Sequence, residues 1–422
     1  MQWQWGNGRY HKYILNPAER LSELSDHRDR LSALPDDILC NHILTRLPLK
    51  LAIKCSILSR RWSCLWTRLP SLNFPRQFFR SVASNRKAKM IIKKLLLAGS
   101  VQLDSFELEV DKSDFDYIWE RKLCNKIAEC IDIAASRKVK KIALKNTYSS
   151  CSVPSNLFTC DRLVVLCLQN FEISSIPTNF SRFPCLMTCS LQAMLLNDGI
   201  LEQLIAACPR LESLTLSGCE GLTDLKICSP ILGYLNIGIG VGINPDNIDL
   251  NSPYCLIPNS ITLKCPQLDT LVLETNSVFK RRPEFYQIIN AIYDLGVEIN
   301  VPICRRLCTN LPCVNILNSF PSLEELSMDT YCFHDTVNGR VSILTNPLEK
   351  LKKVHVSISV FGEKDLHLVG CILENSPSLE TMAVSLPFRS KNCPPASEFD
   401  LILMDKLLGL ERSSAEATII II

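Results

Sequence analysis

Apolar residues recur along most of this chain in one spacing, L-x-x-L-x-L, and each occurrence predicts a short strand. Clear copies are Leu163/Leu166/Leu168, Leu211/Leu214/Leu216, Leu232/Leu235/Ile237, Leu268/Leu271/Leu273 and Leu323/Leu326/Met328. Looser copies are Leu103/Phe106/Leu108, Val139/Ile142/Leu144, Leu186/Cys189/Leu191, Leu351/Val354/Val356 and Leu379/Met382/Val384. The last two apolar positions of each copy alternate with other residues, the period of a strand with one face buried. Proline stands two residues before the first position at Pro184, Pro209, Pro230, Pro266, Pro321 and Pro377, where it can end a helix and hand the chain to the strand. Leu163, Leu186, Leu211 and Leu232 are 23, 25 and 21 residues apart. A period of that size predicts a solenoid whose apolar positions share one core.

The pattern is therefore that of leucine-rich repeats. LESLTLSGCEGLTD, from Leu211, is close to the cysteine-containing type. Cys219 would turn inward to satisfy backbone, as would Asn276 in the copy after Leu268. Leu268 to Leu323 spans 55 residues, room for two units with one degraded. That gap holds FKRRPEFYQIINAIYDL, an expected amphipathic helix burying Phe285, Ile288, Ile289, Ile292 and Leu295. From Asn346 the pattern predicts a strand (Val354 to Val360), a glycine turn and a helix (Leu366 to Leu373). A strand follows Ser376-Pro377, and Ile419 to Ile422 make a last one.

Ahead of the repeats the period changes. Leu34-Pro35 followed by Asp36 and Asp37 predicts a helix start, with carboxylates in the first turn complementing the dipole. Ile38, Leu39, Ile43, Leu44 and Leu47 supply its apolar positions, and Pro48 ends it. A second run carries Leu51, Ala52, Cys55, Leu58, Trp62, Leu65 and Trp66 with the basic pair Arg60-Arg61. So many large apolar side chains in so short a stretch imply that something else covers part of them.

Leu34-Pro35-Asp36-Asp37-Ile38-Leu39, Leu47-Pro48 and Ser56-Ile57-Leu58-Ser59-Arg60-Arg61-Trp62 with Leu65-Trp66 resemble an F-box. The variant is similar to that of plant F-box proteins carrying leucine-rich repeats and a C-terminal FBD region. The resemblance implies an α/β chain: a small helical F-box, then a leucine-rich-repeat solenoid with an α/β FBD unit. The expected divisions are a flexible leader (1–28), the F-box (29–75), a basic linking helix (76–100), the solenoid (101–345) and the FBD region (346–422), which continues or caps the solenoid. It further implies a substrate-receptor subunit of a Skp–cullin–F-box E3 ubiquitin ligase. The partners would be a Skp-type adaptor, through it the cullin and RING subunits, and an unidentified protein substrate. Expected adaptor-binding residues are Leu34, Pro35, Ile38, Leu39, Ile43, Leu47, Pro48, Leu58 and Trp62. Substrate is expected on the strand face, at Glu212, Ser213, Thr215, Asp269, Thr270 and Val272.

One departure from the family matters. Pro35 to Pro48 is one residue longer than the family pattern, with the extra residue somewhere in Cys40-Asn41-His42. In a regular helix the five apolar positions would then spread over an arc of ~240°. Either one end of the helix turns away from the adaptor, or a π-bulge absorbs the insertion and restores the face. Leu49 stands where the family often has a threonine, and cannot cap the next helix. Both departures predict adaptor binding weaker than in relatives.

Composition narrows the class further. The formal charge of the 422-residue chain is +3, giving no global signal for nucleic acid or membrane. Arg76, Arg80, Arg86, Lys87, Lys89, Lys93 and Lys94 read as a solvated helix face. Twenty-one cysteines are an odd number in a long chain whose start lacks the apolar core of a signal peptide. Most of them are expected as small buried hydrophobes in a reducing, intracellular setting, nuclear or cytoplasmic. No stretch is long and apolar enough for a membrane helix. Nucleotide-loop, G-x-S-x-G and H-E-x-x-H motifs are absent, and His11, His27, His42, His334, His355 and His367 are scattered. Cys304, Cys308 and Cys313, or Cys185 and Cys189, lack the C-x-x-C spacing of a zinc site. The expectation is a chain with no catalytic residues, metal or cofactor. Two other readings stay open: an interaction protein whose F-box no longer engages the adaptor, and a small-molecule-sensing F-box receptor.

Overall fold

The computed structural model describes residues 31, 33–76, 78, 91, 94, 102–110, 120–147, 151–239, 258–275, 296–310, 314–329, 344, 346–358, 363–385 and 405–422. The leader (1–28), most of the basic segment 76–100, Asn276, Cys313 and the helix expected at 279–295 lie outside them. The chain divides into two compact units, 1–69 and 70–422.

The smaller unit is helical. α1 begins at Asp36–Ile38 and continues as a π-helical turn, Leu39–Ile43, and a 3-10 turn, Leu44–Arg46. α2 is Leu49–Lys54 and α3 is Trp62–Leu65, each ending in a 3-10 turn.

The larger unit is built on parallel strands: β1 (Ser71–Phe74), β2 (Ser105–Val110), β3 (Lys141–Asn146), β4 (Cys151–Ser152), β5 (Val165–Gln169), β6 (Phe171–Glu172), β7 (Thr188–Gln192), β8 (Ser213–Ser217), β9 (Asp224–Cys228), β10 (Tyr234–Ile239), β11 (Ser260–Lys264), β12 (Thr270–Thr275), β13 (Gly296–Asn300), β14 (Arg306–Thr309), β15 (Glu325–Asp329), β16 (Lys353–Ser357), β17 (Thr381–Ser385) and β18 (Thr418–Ile421). Thirteen form the main sheet, in the order β1-β2-β3-β5-β7-β8-β10-β12-β14-β15-β16-β17-β18. β9, β11 and β13 form a second sheet, and β4 pairs with β6. α4 (Glu120–Ser136), α5 (Asp198–Ala206) and α6 (Glu363–Glu374) connect strands of the main sheet.

All ten predicted copies fall on strands of the main sheet, in register. Leu166, Cys189, Leu214, Leu235, Leu271, Leu307, Leu326, Val354, Met382 and Ile419 stand in one row across it. β14 is the degraded unit of the long gap, with Cys304/Leu307/Thr309 in place of the leucines. Ser71–Phe74 is a correction: expected at the end of the F-box, it pairs with β2 as the first rung. Where an FBD unit is expected, from residue 346, the main sheet goes on and is not covered at its end by that unit, since β16, β17 and β18 are further rungs. Its first strand is Lys353–Ser357, one residue ahead of the expected start, and its helix, α6, is longer than expected.

Two backbone devices repeat with the rungs. The carbonyl just before a strand accepts two successive N–H groups from the next rung: Val164 from Met187 and Thr188, Met187 from Glu212 and Ser213, Glu212 from Gly233 and Tyr234, and Gly233 from Asp269 and Thr270. The relay continues through Asp269, Arg305, Glu324 and Lys352. The second device is the turn that enters the strand. Leu186, Leu211, Leu268, Leu323 and Leu379 donate their N–H to the carbonyl three residues back. Proline therefore sits at the second position of a β-turn, where its fixed φ is favourable, and at Pro209, Pro321 and Pro377 that turn closely follows a helix end. The residue ahead of each of these prolines is buried: Phe183, Cys208, Cys265, Phe320 and Ser376.

This explains much of the cysteine usage. Cys160, Cys208 and Cys265 fill that entry position, while Cys189 and Cys304 stand among the inward residues. The Cys219 thiol turns to the Leu191 carbonyl at 3.4 Å, as expected. Burial pushes the Cys160 and Cys208 thiols up to about 12 and Cys304 up to about 11. Cys151 differs: it is disulfide-bonded. A thiolate is the reacting species, so brief iodoacetamide treatment of the folded protein should label exposed Cys64 and Cys228. Cys160, Cys208 and Cys304 should react only after denaturant, by peptide mass spectrometry; their labelling in the folded chain would show an open repeat core.

Candidate functional site

In the smaller unit the apolar residues divide into a core and a surface. Leu39, Cys40, Leu44, Leu49, Ala52, Trp62, Leu65, Trp66 and Leu69 are buried. The basic half of the motif closes this core. Arg61 Nε donates to Asp36 Oδ1 at 2.7 Å, Arg68 Nη1 to Asp36 Oδ2 at 3.2 Å, and Arg61 Nη2 to the Leu34 carbonyl. Asp36 thus ties the start of α1 to the residues around α3, beyond any effect on the helix dipole.

The extra residue is taken up in a π turn. The Leu44 N–H reaches the carbonyls of both Cys40 and Leu39, so the wider turn absorbs one residue. The bulge of the second expectation forms, but it does not restore the face it was expected to restore: the five apolar positions do not share one. Leu39 and Leu44 point inward, Ile43 and Leu47 are half-buried, and Ile38 is exposed. Leu39 and Trp62 are therefore corrections to the expected adaptor residues, because so small a unit uses them for its own core. Leu49 is also corrected: Pro48 holds the N-cap position and Leu49 is the first helical residue, buried.

Leu34 is half-buried, while Pro35, Ile38 and Pro48 are exposed. Leu58 is 61% exposed and its neighbour Ile57 is 85% exposed. Ile57, Leu51 and Leu31 were missed, although all three are exposed. The available signal was the adjacent pair Ile57-Leu58 at a helix end, which no single helix face can bury.

On the main sheet, Ser213, Thr215 and Thr270 are half-buried on the solvent face. Glu212 and Asp269 precede their strands, where their carbonyls carry the relay. Asp269 is also engaged through its side chain, by Arg305 Nη2 at 2.6 Å and Arg306 Nη2 at 2.9 Å. Val272 is a correction, being only 9% exposed. Charge on this face is segregated. β2 and β3 carry paired charges, Lys141 with Glu107 and Lys145 with Glu109. From β5 to β10 the outward residues are uncharged, Tyr234 among them, and charge returns with Glu274, Arg306, Glu325 and Lys353. Among the described residues no group of three or more His, Cys, Asp or Glu could hold a metal.

Fold and surface together define a leucine-rich-repeat protein that also carries a small helical unit with exposed apolar residues. Residues 127–291 match the family model described as "FBD-associated F-box protein At5g56370, LRR repeats". F-box/LRR-repeat protein 13 of Arabidopsis thaliana is 26% identical over 465 residues, spanning 94% of this chain and 97% of that one. F-box/FBD/LRR-repeat protein At5g56420 of the same plant is 31% identical over 225 residues, 50% of this chain and 49% of its own. A solved chain of the LRIM1/APL1C complex is 14% identical to this chain, covering 68% of it and 48% of the solved chain, with a TM-score of 0.23. The resemblance read from the motifs holds: the relatives over most of this chain are plant F-box proteins with leucine-rich repeats and an FBD region.

Two predictions follow from the geometry. Deleting Asn41, an exposed residue inside the π turn, should convert it to regular helix while keeping both ends of α1 in register. Adaptor affinity should then stay within roughly twofold and the melting temperature should rise; calorimetric titration showing a large loss would mean that the wide turn itself is read by a partner. The second concerns Asp269. Burial raises its carboxyl, but hydrogen bonds from Arg305 and Thr270 and the charges of Arg305 and Arg306 outweigh this and hold it below the ordinary 3.8. Its stabilisation is therefore complete at neutral pH and lost as pH falls through the lowered value. Asp269→Asn should lower the melting temperature at neutral pH by roughly 1–4 °C, and the difference should vanish in acid.

Proposed function

We propose that this chain is the substrate-receptor subunit of a Skp–cullin–F-box ubiquitin ligase, working in the nucleus or cytoplasm. The observation that carries this is the exposed apolar surface of the smaller unit, where Ile57 and Leu58 stand in solvent while the residues around them make a core. Such a surface is unfavourable alone and is stabilised by a partner that covers it. The Skp-type adaptor is that partner, contacted by Leu34, Pro35, Ile38, Ile43, Leu47, Pro48 and Leu58, with Leu51 and Ile57 added.

The reading needs no catalytic group in this chain. Holding a substrate beside a conjugating enzyme raises effective concentration, and that suffices for transfer. The solvent face of the main sheet offers the substrate surface, centred on Ser213, Thr215 and Thr270. Its uncharged middle, flanked by charged rungs, suits a polar segment without charge, because a charge desolvated there would find no partner. No helix among the described residues is long and apolar enough to cross a membrane.

The test is binding of purified Skp-type adaptor to the full chain and to the double variant Ile57→Asp/Leu58→Asp. Losing buried apolar anchors commonly costs ~2–4 kcal/mol, so affinity should fall roughly 30-fold or more. The melting temperature should hold, since both residues are exposed. Undiminished affinity in a folded variant would refute the assignment of this surface.

A further inference from the structure

The two edges of the main sheet differ. At β1 the inward residues Leu72 and Phe74 are buried. At β18, Ile419 and Ile421 align with Met382 and Val384 of β17. Met382 and Val384 are 0% exposed, whereas Ile419 and Ile421 are half-exposed. Among the described residues, the inward positions are covered at β1 and half-exposed at β18. On the solvent face Ile420 is 45% exposed, and Ile422, just beyond the strand, is 71% exposed.

The backbone of β18 is open as well. β18 pairs with β17 on one side, and among the described residues no strand lies on the other. The N–H group of Thr418 donates to the carbonyl of Glu380, just ahead of β17, and that of Ile422 to the carbonyl of Val384 in β17. Backbone groups of alternate residues point to opposite sides of a strand, so those of Ile419 and Ile421 point to the free side. Sheet edges are ordinarily blunted by lysine, proline or a bulge. Thr418–Ile422 has neither residue type, and its register with β17 is unbroken.

We propose that β18 pairs antiparallel with β18 of a second copy of this chain, about a two-fold axis normal to the sheet at Ile420. The open rung cannot be completed by β1 of another copy, whose inward residues are already covered. A two-fold contact sets Ile419 of one copy opposite Ile421 of the other, and each such pair exchanges both of its backbone hydrogen bonds. Both of those side chains lie on the core side, so each open core covers the other. Ile420 meets Ile420 on the solvent face. An isologous contact brings a group near its axis against its own like, and a charge there would repel itself. The uncharged strand fits that requirement. This contact is independent of adaptor binding.

The full chain, without adaptor, should sediment and scatter light with twice the mass of one chain at micromolar concentration. Ile420→Lys and Ile420→Glu each place like charges on the axis. Each should weaken the dimer by roughly a hundredfold or more, with an unchanged melting temperature because residue 420 points to solvent. An equimolar mixture of the two variants should recover the dimer. As a check that needs no charged variant, Ile420→Cys should cross-link two copies on mild oxidation, a non-hydrogen-bonded antiparallel pair having its Cα atoms about 4.5 Å apart. A monomeric parent chain overturns the proposal, as does a dimer indifferent to both charges. Failure of the mixture to dimerise overturns the placement of the axis.

Discussion

The larger unit depends on one backbone interaction, the carbonyl ahead of each strand that accepts two N–H groups from the next rung. From Val164 through Met187, Glu212, Gly233, Asp269, Arg305, Glu324 and Lys352 the acceptor is supplied by apolar, glycine, acidic and basic residues alike. The relay fixes the phase of each strand against its neighbour. Phase matters because a slip of one residue would send the inward side chains to solvent. With it fixed, the apolar row from Leu166 to Ile419 stays inward, and the β-turns built on Pro184, Pro209, Pro266, Pro321 and Pro377 deliver the chain to each strand at the same point.

The smaller unit meets a different constraint, the shortage of volume. With few residues it spends Leu39, Leu44, Leu65 and both tryptophans of the second run on its own core. Asp36, Arg61 and Arg68 then hold the helix ends together across that core. What is left over, Ile38, Leu51, Ile57 and Leu58, stands in solvent. Core and surface are set by the same scarcity.

How legible these parts were in the sequence follows from the same physics. Ten rungs were readable because burial on one face imposes a period of two, and that period survives substitution among Leu, Ile, Val, Met and Cys. β14 was obscured where Cys304 and Thr309 replace large aliphatics, and β1 because four residues beside a helical segment carry too little periodicity. The proposed adaptor surface was harder to read. Counting apolar positions on a regular helix assumes one buried face and one pitch, whereas α1 changes pitch at Leu39–Ile43. Nothing in an L-x-x-L-x-L pattern separates Val272, which is buried, from Thr270, which is not.

The indifference of the carbonyl relay to side-chain type has an evolutionary consequence. Because the strands are phased by main-chain groups and filled by interchangeable aliphatics, the outward residues of each rung can drift without unfolding it. Identity to a relative named for its leucine-rich repeats is 26% over nearly that relative's whole length. A scaffold of this kind can explore new recognition surfaces by point mutation, one rung at a time.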